Sequence, residues 1–390
     1  MDHMTPEQFR RAGREVVEWL ASYMERVGGL PVAPRVKPGQ IAARLPSRAP
    51  EAGEPFDALL ADLDGVVMPG VMHWQSPRFF GYFPCNTTPI SILAEMISTG
   101  VNAQGMMWST SPSYTEIETR VLDWLAELIS LPRAFRSPGD GGSEGGGVIQ
   151  GTASEASLVS IIAARDRARR ASGVPIASLT AYISQQAHSS LMKDARIAGL
   201  EPAHVRLVPT DAVLAMRPDA LLDMIRADAA AGLTPFYVCA TIGTTSSAAI
   251  DPLRRIGQAL STLEHRPWLH VDAAYAGAAC VCREHQPLID GAELADSFNF
   301  NPHKWLLTAF DCSALWVKRK ADLLDALSIM PEYLRNEASA SGAVLDYRDW
   351  QIPLGRRFRA LKLWWTIRHY GAEGLRAHIR RHIGLAEHAE

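Results

Sequence analysis

A chain of 390 residues with 47% hydrophobic and 21% charged side chains has the make-up of a soluble globular protein with one large core and appendages. A formal charge of −3 gives no basic excess for nucleic acid, and there is neither a polybasic tract nor a run of about 18 apolar residues to suit a membrane. The five cysteines (Cys85, Cys239, Cys280, Cys282 and Cys312) follow no metal or disulfide spacing, and the N-terminus is polar without an apolar signal core; reduced thiols, no metal and a cytoplasmic setting are the expectation.

The chain opens with a helix signal. Thr5 is a cap, Pro6 occupies the first helical position and Glu7 follows. Phe9, Ala12, Val16, Leu20, Tyr23 and Val27 recur at helical spacing, and Gly28-Gly29 ends the pattern. Residues 30–55, rich in Pro, Ala and Arg, read as an extended linker, and residues 56–67 as a second helix. Residues 115–131 are expected to be helical, 136–147 a glycine-rich loop, and 154–171 helical. Strand-like runs then fall at 179–184, 205–209, 235–241, 268–273 and 314–317, with helical patterns at 189–200, 218–231 and 252–263. Strand, helix, strand at this spacing predicts a parallel sheet with helices on both faces.

The chemistry concentrates at two places. Pro267-Trp-Leu-His-Val-Asp272 is a strand-length apolar run ending in a carboxylate, and ligands of open α/β sheets sit beyond the carboxyl ends of strands. Ala273, Ala274, Gly277 and Ala278 leave room for a flat ring. Lys304 follows Asn301-Pro302-His303 and lies between Phe298, Phe300 and Trp305-Leu306-Leu307. An apolar setting lowers a lysine pKa and frees the neutral amine that imine chemistry requires. Read singly, Asp272 is an ordinary loop cap and Lys304 a solvated surface lysine. Read together, they are the pair that pyridoxal phosphate needs: an amine to hold the aldehyde and a carboxylate to keep the ring nitrogen protonated. Gly147-Val-Ile-Gln-Gly151-Thr152-Ala153-Ser154 joins a glycine-rich turn to a helix start, where backbone N–H groups bind phosphate; Ser154 reads equally well as the cap of that helix. Tyr333 precedes a stretch of small polar residues up to Gly342, the pattern of a mobile loop whose tyrosine can donate a proton.

Asn301-Pro-His-Lys-Trp-Leu-Leu307 and Phe310-Asp-Cys-Ser-Ala-Leu-Trp-Val-Lys318 resemble the group II pyridoxal-phosphate decarboxylases, specifically the aromatic-L-amino-acid decarboxylases. Pro69-Gly-Val-Met-His-Trp74, Phe79-Phe-Gly-Tyr-Phe-Pro84, Gly145–Gly151, Ala187-His-Ser-Ser190 and Trp350–Phe358 are similar to the family in the same order, so the resemblance runs from about Pro6 to the last residue. It implies an α/β fold of type I (aspartate aminotransferase-like), with a large doubly wound, mainly parallel sheet domain. Residues 1–85 would form an N-terminal helical segment that wraps the partner of a homodimer. Residues 86–390 would form the pyridoxal-phosphate domain with the catalytic loop and the start of the C-terminal region, the small C-terminal domain itself being missing or truncated.

The resemblance also implies roles. Ala153 and Ser154 hold the phosphate with help from Asn301 and His303; His188 stacks on the ring, Thr245 faces it and Ala274 lies under it; Asp272 and Lys304 act as above. Tyr333 protonates the α-carbon after carbon dioxide leaves. Trp74, Tyr82, Phe83 and Pro84 form the substrate pocket, with Met106 reaching it from the partner subunit. Cys85 stands where animal members carry a threonine. Gly355 stands where plant relatives carry glycine for indole substrates and serine for phenolic ones, which favours tryptophan-like substrates. The implied reaction is decarboxylation of an aromatic L-amino acid to the amine. An aromatic aldehyde synthase is the alternative, against which both His188 and Tyr333 argue, since aldehyde-forming relatives replace one of them. Glutamate decarboxylation suits the apolar pocket less, and a catalytically silent binding protein is the reading from another class.

Overall fold

The computed structural model describes residues 3–138, 143–329 and 344–389. The chain divides into two compact units, Met1–Cys85 and Asn86–Glu390.

In the first unit, helix α1 (Pro6–Arg26) begins as its capping signal predicts. The Thr5 hydroxyl accepts the Gln8 N–H at 3.2 Å, and the Gln8 side chain accepts the Thr5 N–H at 2.7 Å, satisfying donors that a helix start leaves unpaired. Only Ala12 is buried on α1; Phe9, Val16, Val17 and Met24 are exposed on the single chain. The helical pattern of residues 56–67 resolves into α2 (Phe56–Asp62) and a wider turn over Leu63–Val67. Arg26 and Trp19 both donate to Asp64, at 2.9 and 3.3 Å, and the Tyr23 hydroxyl bonds His73 Nδ1 at 3.0 Å, tying α1 to the rest of its unit.

In the second unit, α3 (Pro89–Val101) and α4 (Pro112–Leu128) lead to a seven-stranded sheet. Its strands are β1 (Gly146–Gln150), β2 (Leu179–Ser184), β3 (Val205–Val208), β4 (Thr234–Thr241), β5 (Trp268–Asp272), β6 (Ser297–Phe300) and β7 (Ser313–Val317), in the order β1-β7-β6-β5-β4-β2-β3. β3, β2, β4, β5 and β6 are parallel. β7 runs antiparallel to both β6 and β1, so β1 points the same way as the parallel set. Helices α5 (Ala153–Ser172), α6 (Ser190–Ile197), α7 (Pro218–Ala230) and α8 (Leu253–Ser261) connect the strands, followed by the short α9 (Pro302–Trp305), α10 (Lys320–Leu327) and a last helix, Arg359–Ala389, kinked at Gly371. Two apolar layers bury the two sheet faces. One packs α4, α7, α8 and the last helix; the other packs α5, α6 and α10.

Two strands differ from the expectation. The stretch read as a glycine-rich loop to residue 147 becomes β1 from Gly146 onward, buried along its length. Its glycines serve close approach: a Cβ on Gly147 would stand 2.7 Å from the Trp316 ring of the neighbouring strand. β6 was not among the predicted strands because Ser297 and Asn299 break its apolar run, yet all four of its residues are buried.

Candidate active site

Strands β1, β2, β4, β5 and β6 all end at one edge of the sheet, and the segments leaving them carry the predicted cofactor residues. Asp272 is the last residue of β5, buried, with its Oδ1 accepting the Ala274 N–H at 3.0 Å. Ala274, also buried, gives its carbonyl to the Asn301 N–H at 3.0 Å, which ties the ends of β5 and β6 together. Asn301 is buried, and its Oδ1 accepts the Ser313 hydroxyl at 2.7 Å. From there the chain turns into α9, where Pro302 at the first position has no N–H to leave unsatisfied.

His303 and Lys304 both lie on α9. The Nδ1 of His303 accepts the Cys312 N–H at 2.8 Å, and burial beside Lys304 pulls its pKa down to about 4, so the ring is neutral. Burial also lowers the pKa of Lys304, with Asp272 opposing the shift. An amine easier to deprotonate than a surface lysine thus sits within electrostatic reach of a buried carboxylate 32 positions earlier in the chain.

At the end of β1, the helix start falls at Ala153. Its cap is Thr152, whose hydroxyl accepts the Glu155 N–H at 3.4 Å, and not Ser154, which sits inside the first turn. Among the described residues, no acceptor takes the N–H of Ala153 or Ser154. These two donors, half-exposed at the positive end of a 20-residue helix, suit a phosphate. One neighbouring pair escaped the sequence reading: Arg359 makes a bidentate ion pair with Asp311, at 3.0 and 3.1 Å. Both Asp311 Oδ2 and Glu155 Oε2 would stand about 3 Å from any Cβ at Gly151, so a side chain there would have to push one of the two carboxylates aside. Arg359 and Asp311 lie 48 positions apart, and no local pattern joins them.

His188 follows β2 and is exposed; its Nδ1 accepts the Ser190 N–H at 3.2 Å and meets the Ser190 hydroxyl at 2.8 Å, leaving Nε2 for a ligand. Thr245 is exposed in the turn after β4, a turn closed by the N–H groups of Gly243 and Thr244 on the Ala249 carbonyl. Met106 is half-buried and accepts the Arg348 N–H at its carbonyl. Gly355 is exposed, and a Cβ there would meet the Gln104 side-chain oxygen at 3.3 Å. In the first unit, Trp74 stacks on Phe79 and Tyr82 with ring centres 4.7 and 5.5 Å away, while Phe83 and Pro84 are half-buried. Tyr82 is 79% exposed and holds a positive φ of 55°. Tyr333 lies outside the described residues. A hollow of about 1040 Å³ bordered by Trp108, Glu116, Arg120 and Trp124 shares none of these residues.

An amine of lowered pKa, a fixed carboxylate and an open helix start form the donor set for an aldehyde cofactor carrying a ring nitrogen and a phosphate, which is pyridoxal phosphate. Comparison with known proteins agrees. The model of the pyridoxal-dependent decarboxylase conserved domain matches residues 38–390. The chain is 49% identical to phenylacetaldehyde synthase of Arabidopsis thaliana over 390 residues, covering 99% of this chain and 78% of that protein. It is 47% identical to aromatic-L-amino-acid decarboxylase of Bos taurus, covering 98% and 79%. The crystal structure of Oryza sativa TDC with PLP and tryptamine superposes with a TM-score of 0.94 at 42% identity, over 97% of this chain and 78% of that one.

Proposed function

Because the chain belongs to the pyridoxal-dependent decarboxylase family and is a pyridoxal-phosphate-dependent carboxy-lyase, we propose that it converts an aromatic L-amino acid into the corresponding amine and carbon dioxide. The observation that carries the substrate class is the 47% identity to an aromatic-L-amino-acid decarboxylase, and the resemblance assigns the side-chain pocket to Trp74, Tyr82, Phe83 and Pro84. Such rings favour a flat apolar side chain, each contact contributing about 0.5–1.5 kcal/mol. Gly355 leaves space that a larger residue would take from Gln104, which supports an indole ahead of a phenol.

When bound, pyridoxal phosphate draws electrons from the bond that breaks at the α-carbon. The chain's own groups do the rest. Lys304, whose pKa burial lowers with Asp272 opposing, would supply the amine that holds the aldehyde carbon and trades places with the substrate amine. Asp272, fixed by the Ala274 N–H, would hold a proton at the ring nitrogen. The N–H groups of Ala153 and Ser154 bind the phosphate, with Asn301 and neutral His303 beside them. His188 and Thr245 would flank the ring, with Ala274 leaving room for it. Loss of the substrate's carboxylate charge favours a dry site. Tyr333 then delivers the proton to the α-carbon.

The reading is tested by product analysis of purified enzyme in air with tryptophan, tyrosine, phenylalanine, dopa and glutamate. Amine and carbon dioxide in equal amounts from an aromatic substrate are expected; faster turnover of glutamate than of every aromatic would refute it. A second reading is favoured by one observation, the 49% identity to a phenylacetaldehyde synthase. Aldehyde, ammonia and peroxide in place of amine would establish that reaction instead.

The same reading makes the protein a homodimer. Its support is α1, whose apolar Phe9 (59% exposed), Val17 and Met24 are uncovered on the single chain.

A further inference from the structure

We propose that Asp194 is a second carboxyl of the cofactor site, a positioning residue that acts through Asp272 as part of a buried polar pocket with Tyr237, His270 and Asn299. This rests on pyridoxal phosphate as cofactor and not on the choice of substrate.

The strand registers place these groups together. Tyr237 pairs with Trp268, Cys239 with His270 and Thr241 with Asp272; His270 pairs with Ser297 and Asp272 with Asn299. Paired and alternate residues share a face, so Tyr237, Cys239, Thr241, His270, Asp272, Ser297 and Asn299 all project from the same side of the sheet. Helix α6 packs on that side through Leu191 and Ala195, in one apolar layer with Tyr237, Cys239 and Trp268. Asp194 lies between those two contacts on α6 and is only 3% exposed.

A carboxyl in that position has no obvious structural duty. Its Oδ2 meets no partner. The Tyr237 hydroxyl meets none beyond the Cys239 thiol. The His270 ring lies against Tyr237 with centres 6.0 Å apart and anchors its Nδ1 on the Ser297 hydroxyl at 2.7 Å. Its Nε2, and both polar atoms of the Asn299 amide, lack a hydrogen bond of ordinary geometry, although Asn299 is close enough to act on the imidazole. Buried polar groups are normally satisfied. Several such groups on one patch, beside Asp272, make it a polar site and not an apolar core. Asp194 is within electrostatic reach of both Asp272 and Tyr237.

The groups acting on Asp194 are Lys193 on its own helix, Asp272 on β5 and Tyr237 on β4, with Cys239, which Asp272 and Asp251 act on, and His270 beyond. Burial keeps His270 neutral, with its pKa down to about 4, and holds Tyr237 and Cys239 protonated. Asp194 itself is pushed up to about 7 by burial, with Asp272 adding to the rise and Lys193 opposing it. Asp194 therefore changes charge near neutrality, above Asp251, which acts on Cys239 and is raised to about 6 by burial. A charge on Asp272 opposes ionisation of Asp194. A protonated ring nitrogen held by Asp272 offsets that charge and eases ionisation of Asp194. Cofactor binding then releases a proton from Asp194, and binding tightens as pH rises through about 7.

The test compares wild-type holoenzyme with Asp194→Asn and Asp194→Ala by equilibrium dialysis against pyridoxal phosphate, at about pH 6 and about pH 8.5. The phosphate and Lys304 titrate alike in all three proteins, so the difference between them isolates Asp194. The wild-type Kd should fall with pH more steeply than that of either variant, by up to about tenfold, the equivalent of one pKa unit. Proton release on binding, read with an indicator in weak buffer, should shrink by the same fraction. Asp194→Ala leaves no unpaired amide, so it carries the comparison if Asn distorts the pocket. The same pH dependence in wild type and in the folded variants would overturn the assignment, whatever substrate the enzyme turns over.

Discussion

Replacing Arg356 by methionine should be among the most damaging single changes away from the cofactor. The Arg356 guanidinium donates to Glu118 Oε2 and Oε1 at 3.0 and 2.7 Å, to the Ile149 carbonyl at 3.0 Å and to Gln351 at 2.8 Å, and it lies over the Tyr347 ring. Its side chain and that of Glu118 are 3% and 4% exposed. Without the arginine, Glu118 keeps, among the described residues, the Ile149 N–H at 2.8 Å. Removing one partner of a buried pair typically costs about 3–5 kcal/mol, because the other charge is left enclosed. One retained backbone bond does not restore that, so a loss in this range is expected. Removing both charges, in Glu118→Leu with Arg356→Met, should recover much of it, since an apolar replacement of a buried pair is often neutral. The assay is the urea midpoint of all four members of the cycle, each saturated with pyridoxal phosphate so that cofactor linkage is equal. A single-variant loss under about 1 kcal/mol, or a double variant no better than Arg356→Met within about 0.5 kcal/mol, would refute the reasoning. The pair also bears on the proposed pocket. The Arg356 N–H donates to Gln104 at 3.3 Å and its carbonyl accepts the Gly105 N–H at 3.1 Å, so the segment carrying Gly355 is held against the one carrying Met106.

Further outcomes are expected. Borohydride reduction of the holoenzyme should fix the cofactor on Lys304, seen as a modified peptide; Lys304→Ala should lose both that mark and turnover, and a mark on another lysine would displace the assignment. Tyr333→Phe should keep bound cofactor but slow amine formation by about 10²–10⁴ in rate, equal to about 3–5 kcal/mol of barrier, and divert product to aldehyde, ammonia and peroxide; amine at the wild-type rate would make the hydroxyl a bystander. Gly355→Ser should crowd Gln104 and shift the tryptophan-to-tyrosine ratio of kcat/KM toward tyrosine by about 1–3 kcal/mol, whereas an unchanged ratio would remove Gly355 from the pocket. Deleting residues 1–29 should cost dimerisation, and light scattering from an active, stable monomer would rule out the dimer.

Local order was legible wherever one segment carries its own signal. Thr5-Pro6-Glu7 announces α1 because caps and prolines act on their own neighbours. The apolar runs of β2, β4, β5 and β7 announce themselves because a strand buried on both faces needs no alternation. Asp272 and Lys304 stood out as chemistry only as a pair, a carboxylate ending an apolar strand with a lysine amid aromatics further on, since each alone has an ordinary reading. What the chain alone determines, then, are the elements that short-range forces dictate and the residue types that only a site explains.

Tertiary structure decided the rest, because distance in space is set by sheet order and not by position in the chain. β1 escaped notice since its glycines serve the Trp316 ring of another strand. β6 escaped because Ser297 and Asn299 are polar toward a pocket that exists only once β5 lies beside them. Arg356 meets Glu118 across 238 positions, and Arg359 meets Asp311 across 48. Asp194 on a polar-looking helix gave no sign that it is buried on the strands carrying Tyr237 and Asp272. Burial is what turns such side chains from solvated charges into interacting groups, and burial is a property of the packed chain.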